Sequence, residues 1–147
     1  MTRPGGLYAP VMPQILSEAA RNILDAPNHA VLATINQDGS PQTSVVWVGR
    51  DADELVISSA AGRRKDRNLA RDPRVSLCVY DRDDPEQYLE VRGVAAVTPD
   101  TGRQLAVMLA KKYAGPGAGE EFLRLPPEVI RIVIRITPRR VAGRAAG

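Results

Sequence analysis

The stretch Ser58-Ser59-Ala60-Ala61-Gly62-Arg63-Arg64-Lys65-Asp66-Arg67-Asn68-Leu69-Ala70-Arg71-Asp72-Pro73-Arg74 carries the densest chemistry in the chain. It follows the apolar run Leu55-Val56-Ile57, opens with small residues and a glycine, and stops at Asp72-Pro73. This order predicts a strand, a tight turn and a short helix. Arg63, Arg64, Lys65 and Arg67 crowd the first turn of that helix. The first N–H groups of a helix have no intrahelical partner, and the dipole makes that end positive. Small residues before it let an anion approach the backbone. Arginine offers a two-pronged contact to a phosphate, and lysine adds a compact charge. Cations at a helix start oppose the dipole, so a bound anion would give them a reason to be there. A solvated basic face, with Asp66 and Asp72 as local partners, explains the same residues. Both readings stay open from this stretch alone.

Trp47 is the second candidate. It is the single tryptophan, on a predicted strand with polar Gln42, Thr43 and Ser44. Core or interface packing is one role. The other is a wall for a flat heterocycle, with Gln42 and Ser44 bonding its polar edge.

Other familiar constellations are missing. No serine elbow, Walker loop or dinucleotide glycine pattern occurs, and there is no Cys/His pair placed for catalysis. The only cysteine, Cys78, excludes an internal disulfide and reads as an inert core thiol. His29 at a strand start reads as structural, and a histidine metal centre is not expected. Gly115 to Gly119 reads as a loop and Asp81 to Glu86 as a solvated hairpin turn. A chain of 147 residues with net charge +3 suits one domain and anionic ligands. Its 4% aromatic content argues against a stacking nucleic-acid surface. No membrane span and no signal-type run are seen, so a cytoplasmic protein is expected.

The elements that must position these residues follow in order. Residues 1–13 read as an arm, 14–143 as one domain and 144–147 as a tail. An amphipathic helix is predicted from Gln14 to Asp25, ended by Pro27. Strands are predicted at His29–Ile35, Gln42–Val48, Leu55–Ser58, Val75–Tyr80 and Tyr88–Val97, with Gly93 marking a bend or bulge. Asn36 to Gly39 forms the first hairpin turn, and Gly49 to Asp53 another. Thr98-Pro99 reads as a helix start, continuing through Tyr113. Ile130, Ile132, Ile134 and Ile136 alternate with polar residues, giving a last strand. The segment after Pro138 reads as basic and frayed. Six strands with flanking helices predict a mainly β, small antiparallel barrel.

Val31 to Ile35, the turn ending Asp38-Gly39-Ser40-Pro41-Gln42, and Ser44-Val45-Val46-Trp47 together resemble the first hairpin of the pyridoxamine 5′-phosphate oxidase-like split β-barrel flavoproteins. Arg63-x-Lys65-x-x-Asn68-Leu69-x-x-Asp72-Pro73-Arg74 is similar to the segment that holds the cofactor phosphate there. Glu90 to Ala95 and Ile136-Thr137-Pro138-x-x-Val141 resemble the closing strands. The resemblance covers roughly residues 15 to 143. Its closest likeness is to the actinobacterial branch using the deazaflavin coenzyme F-420, through Arg63, Lys65, Arg67, Asn68, Leu69 and Arg71 to Arg74. Set against the oxidases themselves, the sequence reads as shorter and without their extended C-terminal substrate segment, so oxidation of pyridoxamine phosphate is not expected.

The resemblance implies a six-stranded split barrel, a homodimer with cofactor at the interface, and hydride transfer between F-420, or alternatively FMN, and a conjugated small molecule. A cofactor-binding protein without turnover is the remaining alternative. The implied cofactor residues are Gln42, Ser44, Trp47, Ser58, Ser59, Arg63, Arg64, Lys65, Arg67 and Asn68. More arginines than one phosphate needs suit the glutamate tail of F-420. No residue is required as general acid; Tyr88 and Tyr113 are candidate proton donors or packing residues.

Overall fold

The structure, a computed structural model, describes residues 14–147; the expected N-terminal arm lies outside the described residues. Seven strands form one antiparallel sheet: β1 Ala30–Ile35, β2 Pro41–Val46, β3 Val48–Asp51, β4 Glu54–Ala60, β5 Arg74–Tyr80, β6 Tyr88–Pro99 and β7 Arg131–Ala142. Their order across the sheet is β2-β1-β5-β6-β7-β4-β3.

The edges, β2 and β3, are joined through a single residue, Trp47. A chain that passes from one edge to the other within one residue forces the sheet to curl back on itself. Because β2 and β3 share no ladder, the barrel stays split there. This corrects the expected six strands. The predicted strand Gln42–Val48 is two strands, broken where the chain changes edge.

The inner face carries the core. Leu32, Leu55, Ile57, Leu77, Leu89, Ile134 and Ile136 are fully buried in one cluster. The isoleucines of β7 face inward as their period-two spacing requires. Helix α1 Glu18–Asp25, capped by the Ser17 hydroxyl, inserts Ala20, Ile23 and Leu24 into the same cluster. Helix α2 Arg64–Arg71 follows β4 directly, as the sequence predicts. Helix α3 Gln104–Ala114 lies on the outer face of the sheet, where Leu105 and Leu109 meet Val56, with Trp47 and Val133 packed alongside. Helix α4 Glu120–Leu123 follows the glycine-rich loop.

Three further features differ from the sequence reading. Thr98-Pro99 does not start a helix; both residues stay in β6, opposite Val133 and Ile132. Proline is tolerated at a strand end because no ladder donor is needed there. The helix is capped instead by buried Asp100, whose carboxylate accepts from Leu105 N at 3.1 Å and Ala106 N at 3.0 Å. The segment after Pro138 is not frayed: β7 continues to Ala142, and Ala145 is buried in a following 3₁₀ turn. Cys78 is not a core residue. It alternates with buried Leu77 and Val79 and lies half-buried on the outer face, where burial raises its pKa. Among the described residues, no helix is long and apolar enough to cross a membrane.

The C-terminal end of α3 is pinned by a half-buried lysine. Lys112 Nζ donates to Leu24 O and, at 2.6 Å, to Val48 O. Burial pushes its pKa from 10.5 down to about 8, against the opposing attraction of Asp25. Between these values the unfolded chain holds a proton that the folded chain has released, so stability rises with pH there. Tyr113 works in the opposite sense above its ordinary pKa of 10.0, because burial raises it. Lys112 therefore raises the thermal midpoint between about pH 8 and about pH 10, opposed above 9.0 by Cys78, whose thiol pKa burial raises. Lys112→Met should flatten that rise, measured by thermal unfolding across the range.

Candidate functional site

Strand β4 ends in small residues and the chain turns sharply at Gly62, whose φ of +85° is a conformation glycine adopts freely. Arg63 is the N-cap of α2 but makes no side-chain capping bond. Asp66 takes over part of that work, its carboxylate accepting from Gly62 N at 2.7 Å. Arg67 donates to Gly62 O, which closes the turn from the other side. Arg63 is exposed beside the turn.

Helical geometry then divides the basic cluster. Lys65 turns inward, half-buried, and donates to Ser44 Oγ on β2 at 3.2 Å. Arg64 and Arg67 are exposed. Asn68, one turn after Lys65, is buried beneath α2. Its amide donates to Thr34 Oγ1 at 3.0 Å and Asn36 Oδ1 at 3.1 Å, and Thr34 donates to Gln42 Oε1 at 3.0 Å. Asn68 and Gln42 therefore hold α2 and β2 against β1. Arg71 donates to Ile35 O and Asn68 Oδ1, and Arg74 pairs with Asp72.

A cleft of about 250 Å³ opens beside Lys65. Trp47, Ser58, Ser59, Arg63, Lys65 and Arg131 contribute its polar and aromatic lining. Leu109 and Phe122 add apolar surface. Five of these were expected from the sequence: Trp47, Ser58, Ser59, Arg63 and Lys65. Ser44 reaches the site through its bond to Lys65. Gln42, Arg64, Arg67 and Asn68 do not line the cleft.

Arg131 is the residue that sequence reasoning missed. It reads there as a polar position alternating with the isoleucines of the last strand. The register of β7 on β4 sets it opposite Ala60, two residues before the Gly62 turn. Its Nη2 donates to Ser58 Oγ at 2.8 Å, and its guanidinium lies 5.0 Å from the Phe122 ring centroid. Its Nε is buried without a partner among the described residues.

The electrostatics of the cleft follow. Burial lowers the pKa of Lys65, and the charges of Arg63 and Arg131 lower it further. Burial likewise lowers that of Arg131, with Arg63 second and Asp100 opposing. Three cations that destabilise one another converge on one cleft. An anion there would relieve both their repulsion and the desolvation of Lys65. Arg63 and Lys65 line the cleft, whereas Arg64 and Arg67 are exposed outside it.

The candidate proton donors do not join the cleft lining. Tyr88 lies on β6 against Gly143. The Tyr113 hydroxyl donates to Asn28 O at 2.6 Å and accepts from Val48 N at 3.2 Å. Its ring stacks on Trp47, centroids 5.2 Å apart and 5° from parallel.

Comparison with known proteins places this architecture. A structure described as an F420 reductase is 31% identical, covering 86% of this chain and 98% of that one at a TM-score of 0.74. A conserved hypothetical protein from Mycobacterium tuberculosis is 27% identical, covering 89% and 86% at a TM-score of 0.68. A pyridoxine/pyridoxamine 5′-phosphate oxidase of Rhodopseudomonas palustris (strain HaA2) is 31% identical over 104 residues, 70% of this chain and 49% of that protein. A second, from strain TIE-1, is 27% identical over 133 residues, 87% of this chain and 62% of that protein. The chain therefore spans about half to three-fifths of the length of these curated relatives. The family profile described as pyridoxamine 5′-phosphate oxidase matches residues 16–144. With that match running from the start of α1 to the end of β7, the chain belongs to the pyridoxamine 5′-phosphate oxidase-like family.

Proposed function

We propose that this protein is an oxidoreductase that uses coenzyme F-420, bound in the cleft between Trp47 and the Arg63–Lys65–Arg131 cluster. The observation that carries the reading is the convergence of these three cations beside a tryptophan wall. One end of the cleft suits a phosphate and the other a flat ring. The donors fit the group: Lys65 and Arg131 are half-buried, Ser58 and Ser59 stand beside them, and Arg131 Nε has an unmet bond. The likeness to a structure described as an F420 reductase favours the deazaflavin.

Lys65, Arg63 and Arg131 would hold the phosphate, with Ser44 orienting the Lys65 ammonium. Trp47 would pack on the ring, and Leu109 and Phe122 would exclude water from it. The chemistry supplied by bound F-420 is hydride transfer to or from a conjugated small molecule. Arg64 and Arg67, exposed on the first turns of α2, suit the glutamate tail. FMN in the same cleft is the second reading, favoured by the family's oxidases.

Tail contacts made by exposed arginines are screened over about 8–10 Å near physiological ionic strength. F-420 affinity should therefore fall with salt more steeply than FMN affinity. An Arg64→Ala, Arg67→Ala double variant should flatten the F-420 slope and leave FMN nearly unchanged. Fluorescence titrations at low and high salt measure this. Equal responses of the two cofactors would remove the tail from the proposal.

The proposal includes a homodimer. The outer face of β1 and β2 presents Val31, Ala33, Ile35 and Val45, the last 69% exposed. Helix α3 packs on Val56 of β4 rather than on this apolar strip. Light scattering should give twice 15.9 kDa at micromolar concentration. A cofactor-bound monomer would count against a site shared between subunits.

A further inference from the structure

Trp47 occupies an unusual place. It lies between β2 and β3 and belongs to neither ladder, at the point where the chain changes sheet edge. Neither ladder fixes its orientation, yet its half-buried ring forms part of the cleft wall. Three contacts from one turn of α3 converge on it and on the next residue, Val48. The Tyr113 ring stacks on the indole at 5.2 Å, 5° from parallel. The Tyr113 hydroxyl accepts from Val48 N at 3.2 Å and is itself anchored on Asn28 O at 2.6 Å. Lys112 Nζ donates to Val48 O at 2.6 Å. Val48 opens an edge strand, and α3 side chains take up its outward N–H and C=O.

We propose that Tyr113 is a positioning residue that presets the Trp47 ring as a flat wall of the cleft, so that a planar heteroaromatic group meets a surface already ordered. This rests on the reading of the cleft as a site for a phosphate-bearing cofactor with a flat ring. An aromatic side chain that must be ordered on binding weakens affinity, and a ring clamped beforehand does not. Stacking supplies the clamp, because parallel offset rings attract beyond the area they bury. The Tyr113 hydroxyl has a carbonyl acceptor and an amide donor already, so its work is mechanical rather than acid–base. The α3 C-terminus thus reaches the cleft without lining it.

Trp47 is the only tryptophan, so emission excited at the red edge of its absorption, beyond that of the tyrosines, reports on it alone. The test compares the full chain with Tyr113→Phe and with two ring-less variants, Tyr113→Leu and Tyr113→Met, either of which suffices if folded. Tyr113→Phe keeps the stacked ring, so its acrylamide quenching and FMN or F-420 affinity should stay within about twofold of the parent. The ring-less variants should show red-shifted emission, quenching raised about twofold, and cofactor affinity lowered about tenfold. Inorganic pyrophosphate, which has no ring, should bind them as it binds the parent. Emission and quenching unchanged in the ring-less variants would overturn the proposal. So would an equal loss of pyrophosphate and cofactor affinity. If the parent binds neither FMN nor F-420 while Trp47 emission still separates phenylalanine from the ring-less variants, the clamp stands and the cofactor reading falls.

Discussion

Lys65→Ala should lower cofactor affinity about tenfold to a hundredfold, whereas Arg74→Ala should leave it nearly unchanged. Removing a hydrogen bond to a charged group costs about 1.5–3 kcal/mol, which sets that range. The two residues carry the same charge on the same segment, and their surroundings separate them. Lys65 faces the cleft, half-buried, with Ser44 as its hydrogen-bond partner and two neighbouring arginines repelling it. Arg74 lies past the end of α2, exposed, with both oxygens of Asp72 accepting from its guanidinium. A bound phosphate relieves the repulsion at Lys65 and has nothing to relieve at Arg74. Calorimetric or fluorescence titration of both variants with each cofactor measures the difference. Equal affinities for the parent and Lys65→Ala would take the anion end of the cleft out of the account.

Gly93→Ala should destabilise the fold by about 3 kcal/mol, near the upper end of what overpacking costs. Gly93 sits at the register shift between β6 and β7, opposite Pro138. A methyl group there would lie 2.1 Å from the carbonyl oxygen of Thr137 and 3.2 Å from Pro138 Cα. Both obstacles are backbone, so relief requires the two longest strands to separate. Those strands hold Val91, Ile134 and Ile136 in the core. Gly117→Ala is the control, since a methyl group at Gly117 meets nothing within 4 Å and no positive φ is required. It should stay within about 0.5 kcal/mol of the parent. Thermal and denaturant unfolding distinguish the two.

The same glycine illustrates what the sequence makes legible. A lone glycine within an alternating strand signals a bulge, and the bulge lies at Arg92/Gly93. Gly39, with φ of +87°, closes the turn from Asn36 as its type predicts. The period-two isoleucines place one face of β7 in the core. These features are local, and local chemistry decides them. The misread features depend on partners distant in sequence. Ser44 to Val48 is continuous β-forming sequence, and only the route of the chain from edge to edge breaks it at Trp47. Thr98-Pro99 has the chemistry of a helix start, but pairing with Val133 and Ile132 outweighs it. Ala145 is buried because the core it meets includes α1, which lies more than a hundred residues away.

The candidate site divides in the same way. The turn at Gly62 and the helix after it are legible from spacing, and with them Arg63 and Lys65. The third cation is not. Arg131 joins them only through the register of β7 on β4, which no local pattern encodes. Asn68 belongs to a motif next to the cleft, and its buried amide is used to seat α2 rather than to line the cleft.

In the proposed function one cleft holds a phosphate between Arg63, Lys65 and Arg131, holds a flat ring at Trp47, and prefers F-420. Equilibrium competition tests it most directly. The protein is loaded with FMN and titrated with F-420 while Trp47 emission and cofactor fluorescence are followed. The account expects quenching of Trp47 by either cofactor, displacement of FMN by F-420, and loss of both in Arg131→Met. Tighter binding of FMN that F-420 does not displace would contradict the choice of cofactor. Binding that leaves Trp47 emission and the Arg131→Met affinity unchanged would contradict the site.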